Sequence, residues 1–135
     1  MLSMLSLTSL VIGANITINV SQGFSYNPQS VNANVGDTIT WIFSSTHHTV
    51  TEGLACVSNK GFDSGIQNTG TFKYTITPDR EDTTINYFCR VGSHCLQGMT
   101  GGISVKTGVI SSSNSETNIV SDDMMLLLII FVSAF

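Results

Sequence analysis

Three residues in the second half of the chain have side chains that could bind one metal ion. Cys89, His94 and Met99 follow each other with four residues between successive members, so a single loop could wrap around an ion. A thiolate and an imidazole suit copper, and a thioether supplies the weak, long bond of blue-copper centres. Zinc also binds cysteine and histidine, but its structural sites do not use a thioether. The loop therefore predicts a copper site, with zinc as the alternative ion.

The third strong ligand must come from another part of the chain, and the pair His47-His48 is the candidate. This pair follows the apolar segment around Trp41, which is predicted to be a core strand. Neighbouring side chains on a regular strand point to opposite faces, so His47 and His48 cannot both face the same ion. The residues alone predict one histidine ligand here and leave open which of the two it is.

The elements that would position these side chains are short strands. Apolar and polar residues alternate between Ile16 and Lys106, with turn residues at short intervals, a pattern typical of strands with one buried face. The segment from Glu52 to Gly70 lacks this period and is predicted to be a long loop with room for one helical turn. Strands are predicted at Ile16–Val20, Val31–Val35, Thr38–Phe43, Thr71–Thr77, Thr84–Cys89 and Gly102–Lys106.

The fold class follows from this pattern. The chain has 135 residues and shows no long amphipathic helix pattern, which suits one all-β domain. About seven to eight short strands predict two antiparallel sheets packed face to face as a sandwich.

Several stretches of the chain resemble the cupredoxins, the blue-copper family, and within it the phytocyanin-like and plastocyanin-like single-domain extracellular members. The resemblance covers residues 16–106 and rests on Phe24–Pro28, Val35–Trp41, His48–Val50 and Cys89–Met99. It implies a Greek-key β-sandwich with the ligand loop at one end.

The resemblance also implies the ligands and their role. In this family the first ligand is a histidine followed by one residue and valine, which selects His48 over His47. Cys89, His94 and an axial Met99 then complete the site for one mononuclear copper ion. The implied function is to carry single electrons between extracellular or cell-surface redox partners by Cu(I)/Cu(II) cycling. The partner would be a protein or a small redox molecule, and the carrier a monomer.

The three cysteines of the chain fit this resemblance, because similar proteins have a disulfide that would correspond here to Cys56 and Cys95. Cys89 would then stay free as the metal thiolate. Two alternatives remain: a disulfide that includes Cys89 and leaves one unpaired thiol, or three reduced and buried cysteines. The odd number of cysteines argues against the first of these.

Both ends of the chain predict export. Residues 1–14 are apolar and uncharged like the core of a signal peptide, followed by the cupredoxin domain at 15–107. A serine-rich linker and polar spacer at 108–123 precede an apolar tail at 124–135. This order is typical of a GPI-attachment signal, and the tail is shorter than the roughly 20 residues of a spanning helix. We expect a secreted or cell-surface protein, with lipid-anchored attachment to the plasma membrane.

Two glycosylation sequons, at Asn15 and Asn19, also suit a secreted glycoprotein. The formal net charge is -4, and no basic stripe that could neutralise phosphates is present, so nucleic acid is not an expected partner. The basic residues are scattered through the chain at Lys60, Lys73, Arg80, Arg90 and Lys106.

Two other function classes are less consistent with these residues. Multicopper oxidases place histidines on both sides of the copper cysteine, whereas Phe88 and Arg90 flank Cys89, so an enzyme is not expected. A copper-storage role, or a structural module of a cell wall or adhesion surface without electron transfer, is the alternative.

Overall fold

The computed structural model describes residues 12–107. The linker at 108–123, the apolar tail at 124–135 and most of the signal segment at 1–14 lie outside the described residues, so those assignments stay predictions. Within the described range, no helix combines the length and apolar character needed to cross a membrane.

The described part of the chain contains nine strands and one 3-10 turn. The number of strands is slightly higher than the expected seven to eight. The turn, Pro78–Arg80, precedes the eighth strand. The strands are β1 Asn15–Val20, β2 Tyr26–Asn27, β3 Ser30–Asn34, β4 Thr38–Phe43, β5 Thr51–Leu54, β6 Val57–Asp63, β7 Gly70–Thr75, β8 Thr84–Phe88 and β9 Thr100–Lys106.

The strands form two sheets, in the orders β2-β1-β4-β7 and β3-β9-β8-β5-β6. The predicted sandwich is confirmed, but the prediction that both sheets are antiparallel is wrong. β1 runs parallel to β4, with Ile18 beside Trp41, and β3 runs parallel to β9, with Val31 beside Ile103. Side-chain alternation reports which face of a strand is buried and carries no information on the direction of its neighbour. The direction of a neighbouring strand depends on where the chain crosses from one sheet to the other.

The segment from Glu52 to Gly70, expected to be a loop, instead contains most of the β5–β6 hairpin. β6 is one of the two edge strands of the five-stranded sheet, and its side chains are almost all exposed. A register shift also interrupts its pairing with β5 between Thr51 and Gly53. Because β6 packs only Phe62 against the core and its pairing is irregular, it shows no apolar period in the sequence.

The core lies between the sheets and includes Trp41, as predicted, with no exposed surface. Trp41 and Tyr87 come from opposite sheets and meet edge to face, with ring centroids 5.3 Å apart. This contact joins the two layers at their centre. The other core residues are Ile18, Val20, Tyr26, Ala33, Ile39, Phe43, Val50, Ile76, Ile85, Cys89, Met99, Ile103 and Val105.

A buried ion pair ties the β5–β6 hairpin to the 3-10 turn. Arg80 donates from Nη1 and Nη2 to the two oxygens of Glu52 at 2.7 and 3.0 Å, and Asn59 Nδ2 donates at 2.9 Å. The backbone N–H of Phe62 donates to the same carboxylate. Burial would raise the pKa of Glu52, but these donors outweigh it and hold the pKa below its ordinary value. The carboxylate is therefore charged in the folded state and depends on its donors.

We expect Arg80→Ala to lower the free energy of unfolding by about 3 kcal/mol, the lower end of the range for breaking a buried pair. The side chain of Glu52 is 3% exposed and would lose its main donor, while Arg80 is itself 28% exposed. Chemical denaturation measures the effect. Lys73→Ala is the matched control, because Lys73 is exposed on the edge strand β7 and its loss should change stability by less than about 0.5 kcal/mol. Equal effects of the two variants would contradict a stabilising role for the pair.

Candidate metal centre

The loop between β4 and β5 separates the two adjacent histidines. His48 is buried, with 4% of its surface exposed, and its backbone exchanges hydrogen bonds with that of Gln67 at 2.8 and 3.2 Å. His47 is exposed and has a φ of 62°, a left-handed conformation uncommon for residues other than glycine. The local turn, rather than the alternation of a regular strand, thus sends the two side chains to different environments.

Three predicted ligands meet at one end of the sandwich. Cys89 directly follows β8, and its Sγ lies 3.4 Å from His94 Nδ1 and 4.0 Å from His48 Nδ1. One ligand atom from each of these residues lies within 4.8 Å of the others. Among residues 12–107, this is the one group of three or more His, Cys, Asp or Glu side chains that meets such a distance criterion.

Met99, the predicted axial residue, closes the loop that carries Cys89 and His94. Its backbone N–H donates to the carbonyl of His94 at 3.0 Å, and its carbonyl accepts from the N–H of Cys89 at 3.1 Å. The His94 N–H also donates to Val91 O at 3.1 Å. Met99 is fully buried. These bonds give the loop a defined backbone, and Met99 belongs to the same buried cluster as Cys89.

The thiol of Cys89 is also held by the loop that carries His48. Thr49 donates its backbone N–H to Cys89 Sγ at 3.4 Å, and its hydroxyl accepts from the Arg90 N–H at 2.9 Å. The hydroxyl of Tyr26 donates to the Thr49 carbonyl at 2.6 Å. Burial raises the pKa of Tyr26 far above its usual range, so this donor keeps its proton. The N–H of Thr49 therefore helps to hold the sulfur in position beside the two histidines.

His48 is held in the state that can bind a metal ion. Burial lowers its pKa, and the neighbouring His94 and His47 lower it further. A neutral imidazole has a free lone pair for a metal, whereas an imidazolium has none.

Phe24 is a neighbour of the site whose contact the sequence did not reveal. Its ring lies 4.4 Å from the ring of His94, centroid to centroid, and it is 41% exposed. His94 itself is half-buried. The sequence offered Phe24 only as part of the resemblance, and nothing in its spacing indicated a contact with a residue so distant along the chain.

The cysteine pairing is decided by the structure. Cys56 and Cys95 form a disulfide with Cα atoms 5.8 Å apart, and Cys89 is a buried free cysteine. This confirms the predicted bridge and rejects both alternatives. The bridge joins the metal-loop residue next to His94 to the tip of the β5–β6 hairpin. At that tip Ala55 and Cys56 have φ values of 52° and 60°, a turn that normally favours glycine or asparagine.

The donor set fits one copper ion. It combines one sulfur that can become a thiolate with two imidazoles, all drawn from buried or half-buried positions, and this is the ligand chemistry of mononuclear copper sites. The two predicted glycosylation residues, Asn15 and Asn19, are exposed on β1, and their modification stays a prediction.

No protein-family model matches the chain, and no curated protein matches it in sequence. Solved structures of cupredoxins do match it. A purple cupredoxin from Nitrosopumilus maritimus has a TM-score of 0.55 at 23% identity, over 67% of this chain and 98% of its own. Auracyanin from Roseiflexus castenholzii has a TM-score of 0.52 at 16% identity, over 70% and 98%. Plastocyanin from Dryopteris crassirhizoma has a TM-score of 0.53 at 16% identity, over 67% and 99%. The chain therefore has the cupredoxin fold.

Replacing both Cys56 and Cys95 with serine should lower the free energy of unfolding by about 4 kcal/mol, the value of the chain-entropy model for a bridge across 39 residues. Thermal or chemical denaturation of the double variant measures the loss. Unchanged stability on addition of a thiol reductant to the parent protein would contradict this role of the bridge. The double Ser58→Ala, Ser93→Ala variant, which leaves the cysteines in place, is the control for substitution near the two ends of the bridge.

Proposed function

From the cupredoxin fold and the buried His-Cys-His cluster at its end, we propose that the chain binds one copper ion through His48, Cys89, His94 and an axial Met99. The observation that carries the proposal is the convergence of a cysteine sulfur and two histidine nitrogens within 4.8 Å. Copper bound there would supply one-electron Cu(I)/Cu(II) chemistry. We propose that this chemistry serves electron transfer.

The rigidity of the surrounding residues supports electron transfer. A site exchanges electrons quickly when its ligands hardly move between the two metal oxidation states. Here the ligand loop is closed by the backbone bonds of Met99 to Cys89 and His94, and the Cys89 sulfur is held by the Thr49 N–H. Bonds of this kind orient the ligands and tune the metal. The half-buried His94, with Phe24 beside it, would be the point at which electrons enter and leave.

The partners and location follow as proposals from the same features. A disulfide next to the site suits an oxidising compartment, in agreement with the signal segment and tail read from the sequence. We propose an extracellular or cell-surface carrier, monomeric and GPI-anchored, that serves a redox protein or a small redox molecule. We assign no catalytic residue, because Phe88 and Arg90 flank Cys89 where an oxidase would need histidines.

Copper-loaded protein in the oxidised state should show the intense visible absorption of a thiolate bound to Cu(II). Cys89→Ser should abolish this absorption, and His48→Ala should abolish or strongly shift it, because each change removes a strong ligand. His47→Ala is the matched control and should leave the spectrum unchanged, since His47 is exposed. A band retained in His48→Ala but lost in His47→Ala would contradict the ligand assignment.

Met99→Gln should keep the absorption but lower the reduction potential, because an amide oxygen is a harder axial donor than a thioether and stabilises Cu(II). Protein-film voltammetry measures the shift.

Stopped-flow mixing of the copper-loaded protein with a small redox reagent separates the proposed electron transfer from copper storage. Exchange complete within the mixing time supports a carrier, and a coloured protein that exchanges over minutes would favour storage.

A further inference from the structure

A groove of about 420 Å³ lies on the outer face of the five-stranded sheet. Its floor is formed by Gly101 and Gly102 of β9 and by Asn86 of β8. The hairpin tip around Leu54–Cys56 stands on one side and the segment Gln29–Asn32 on the other. Its volume falls in the range of ligand-binding pockets. Because Ile85 and Ile103 point into the core from the same strands, Asn86 and Gly102 point away from it.

The two glycines of the floor have different reasons to be glycine. A Cβ at Gly101 would lie 2.3 Å from the ring of Tyr87, so packing inside the protein excludes any side chain there. A Cβ at Gly102 would meet only Asn86 Oδ1, at an ordinary 3.7 Å, and its φ is not in the left-handed region. Glycine inside a strand is less stable than alanine, because it loses more conformational freedom on folding. Glycine in a strand often marks a place where a ligand approaches the backbone, and neither packing nor backbone conformation explains it at Gly102.

The chemistry of the lining indicates a neutral and polar ligand. No acidic or basic side chain lines the groove. Gln29 and Thr100 face each other at 3.5 Å, at the limit of a hydrogen bond. The other exposed or half-buried polar side chains of the lining make no hydrogen bond within the described residues, so their donors and acceptors are free for a ligand. They are Ser30, Asn32, Thr84, Asn86 and Ser104.

We propose that this groove binds a neutral saccharide, whose hydroxyls would pair with the free amides and hydroxyls and whose apolar ring face would lie against Leu54. An extended peptide fits less well. Peptides commonly bind sheets by adding a strand at an edge, and β3, at the rim of the groove, is the one edge strand in the lining. The strands β5, β8 and β9 are each paired on both sides, so recognition over the rest of the groove depends on side chains, as for a sugar.

The groove is a separate site from the metal cluster. Phe88 and Thr100 of its lining adjoin Cys89 and Met99 in sequence, yet His48 and His94 are absent from the lining. Saccharide binding is therefore independent of the proposed electron transfer. A failure of either proposal leaves the other standing.

The test is a titration of the 15N-labelled full chain, copper-loaded and reduced so that the metal is diamagnetic, with cellotetraose, mannotetraose and chitotetraose. We expect at least one of them to shift the backbone amide signals of Asn86, Gly102 and Ser104. Absence of shifts with all three sugars would overturn the proposal, as would shifts confined to the loop around His94. A neutral capped peptide of Ser, Thr and Val that shifts the groove amides, when none of the sugars does, would replace the saccharide with a peptide ligand.

Two variants test the groove directly. Gly102→Val fills the floor and should weaken binding by about tenfold or more, equivalent to about 1.4 kcal/mol. Thr84→Val removes a free hydroxyl from the groove wall with little change of shape and should weaken binding several-fold, the effect of one hydrogen bond. Thr71→Val is the matched control, because Thr71 is exposed on β7 of the other sheet. Unchanged affinity in Thr84→Val and Gly102→Val would overturn the assignment, and Thr84→Val alone decides if Gly102→Val does not fold.

Discussion

The contact between Thr49 and Cys89 is the one on which the candidate metal site depends. The backbone N–H of Thr49 points at the sulfur of a residue 40 positions later in the chain. It joins the loop after β4, in one sheet, to the loop after β8, in the other. Because Thr49 directly follows His48, the same contact brings the first imidazole to the thiol. Tyr26 and Arg90 hold Thr49 from either side, so the meeting of the two loops is specified by buried hydrogen bonds as well as by packing.

The β5–β6 hairpin supports this arrangement from the side. Its base is held by the carboxylate of Glu52, which accepts from Arg80, Asn59 and Phe62. Its tip is tied by the disulfide to Cys95, the neighbour of His94. The left-handed residues Ala55 and Cys56 at the tip adopt a conformation that costs free energy outside such a context. The hairpin tip therefore adopts a locally unfavourable backbone conformation, and its disulfide fixes the position of the metal loop.

The two faces of the five-stranded sheet have different roles. Its inner face supplies apolar side chains to the core, and the end of that core carries the metal cluster. Its outer face carries the groove, in which neutral polar side chains surround a glycine floor. Because side chains on a strand alternate, β8 and β9 serve both roles at once: Ile85 and Ile103 face inward while Asn86 and Gly102 face outward. A groove ligand and a redox partner could bind together, since one would occupy the sheet face and the other the end near His94.

The sequence by itself determined the composition of the metal site and most of the strands. The spacing of Cys89, His94 and Met99 is a local property of one loop, and the alternation around Trp41 reports a buried face directly. Other features depend on which distant segments meet. No local periodicity in the sequence reports these features. They are the parallel pairing of β1 with β4, the exposed β6, the contact of Phe24 with His94 and the groove above Gly102. The sequence also left two alternatives to the Cys56–Cys95 bridge. Only the tertiary structure decided these features, because burial patterns record whether a side chain faces the core and not which partner lies opposite.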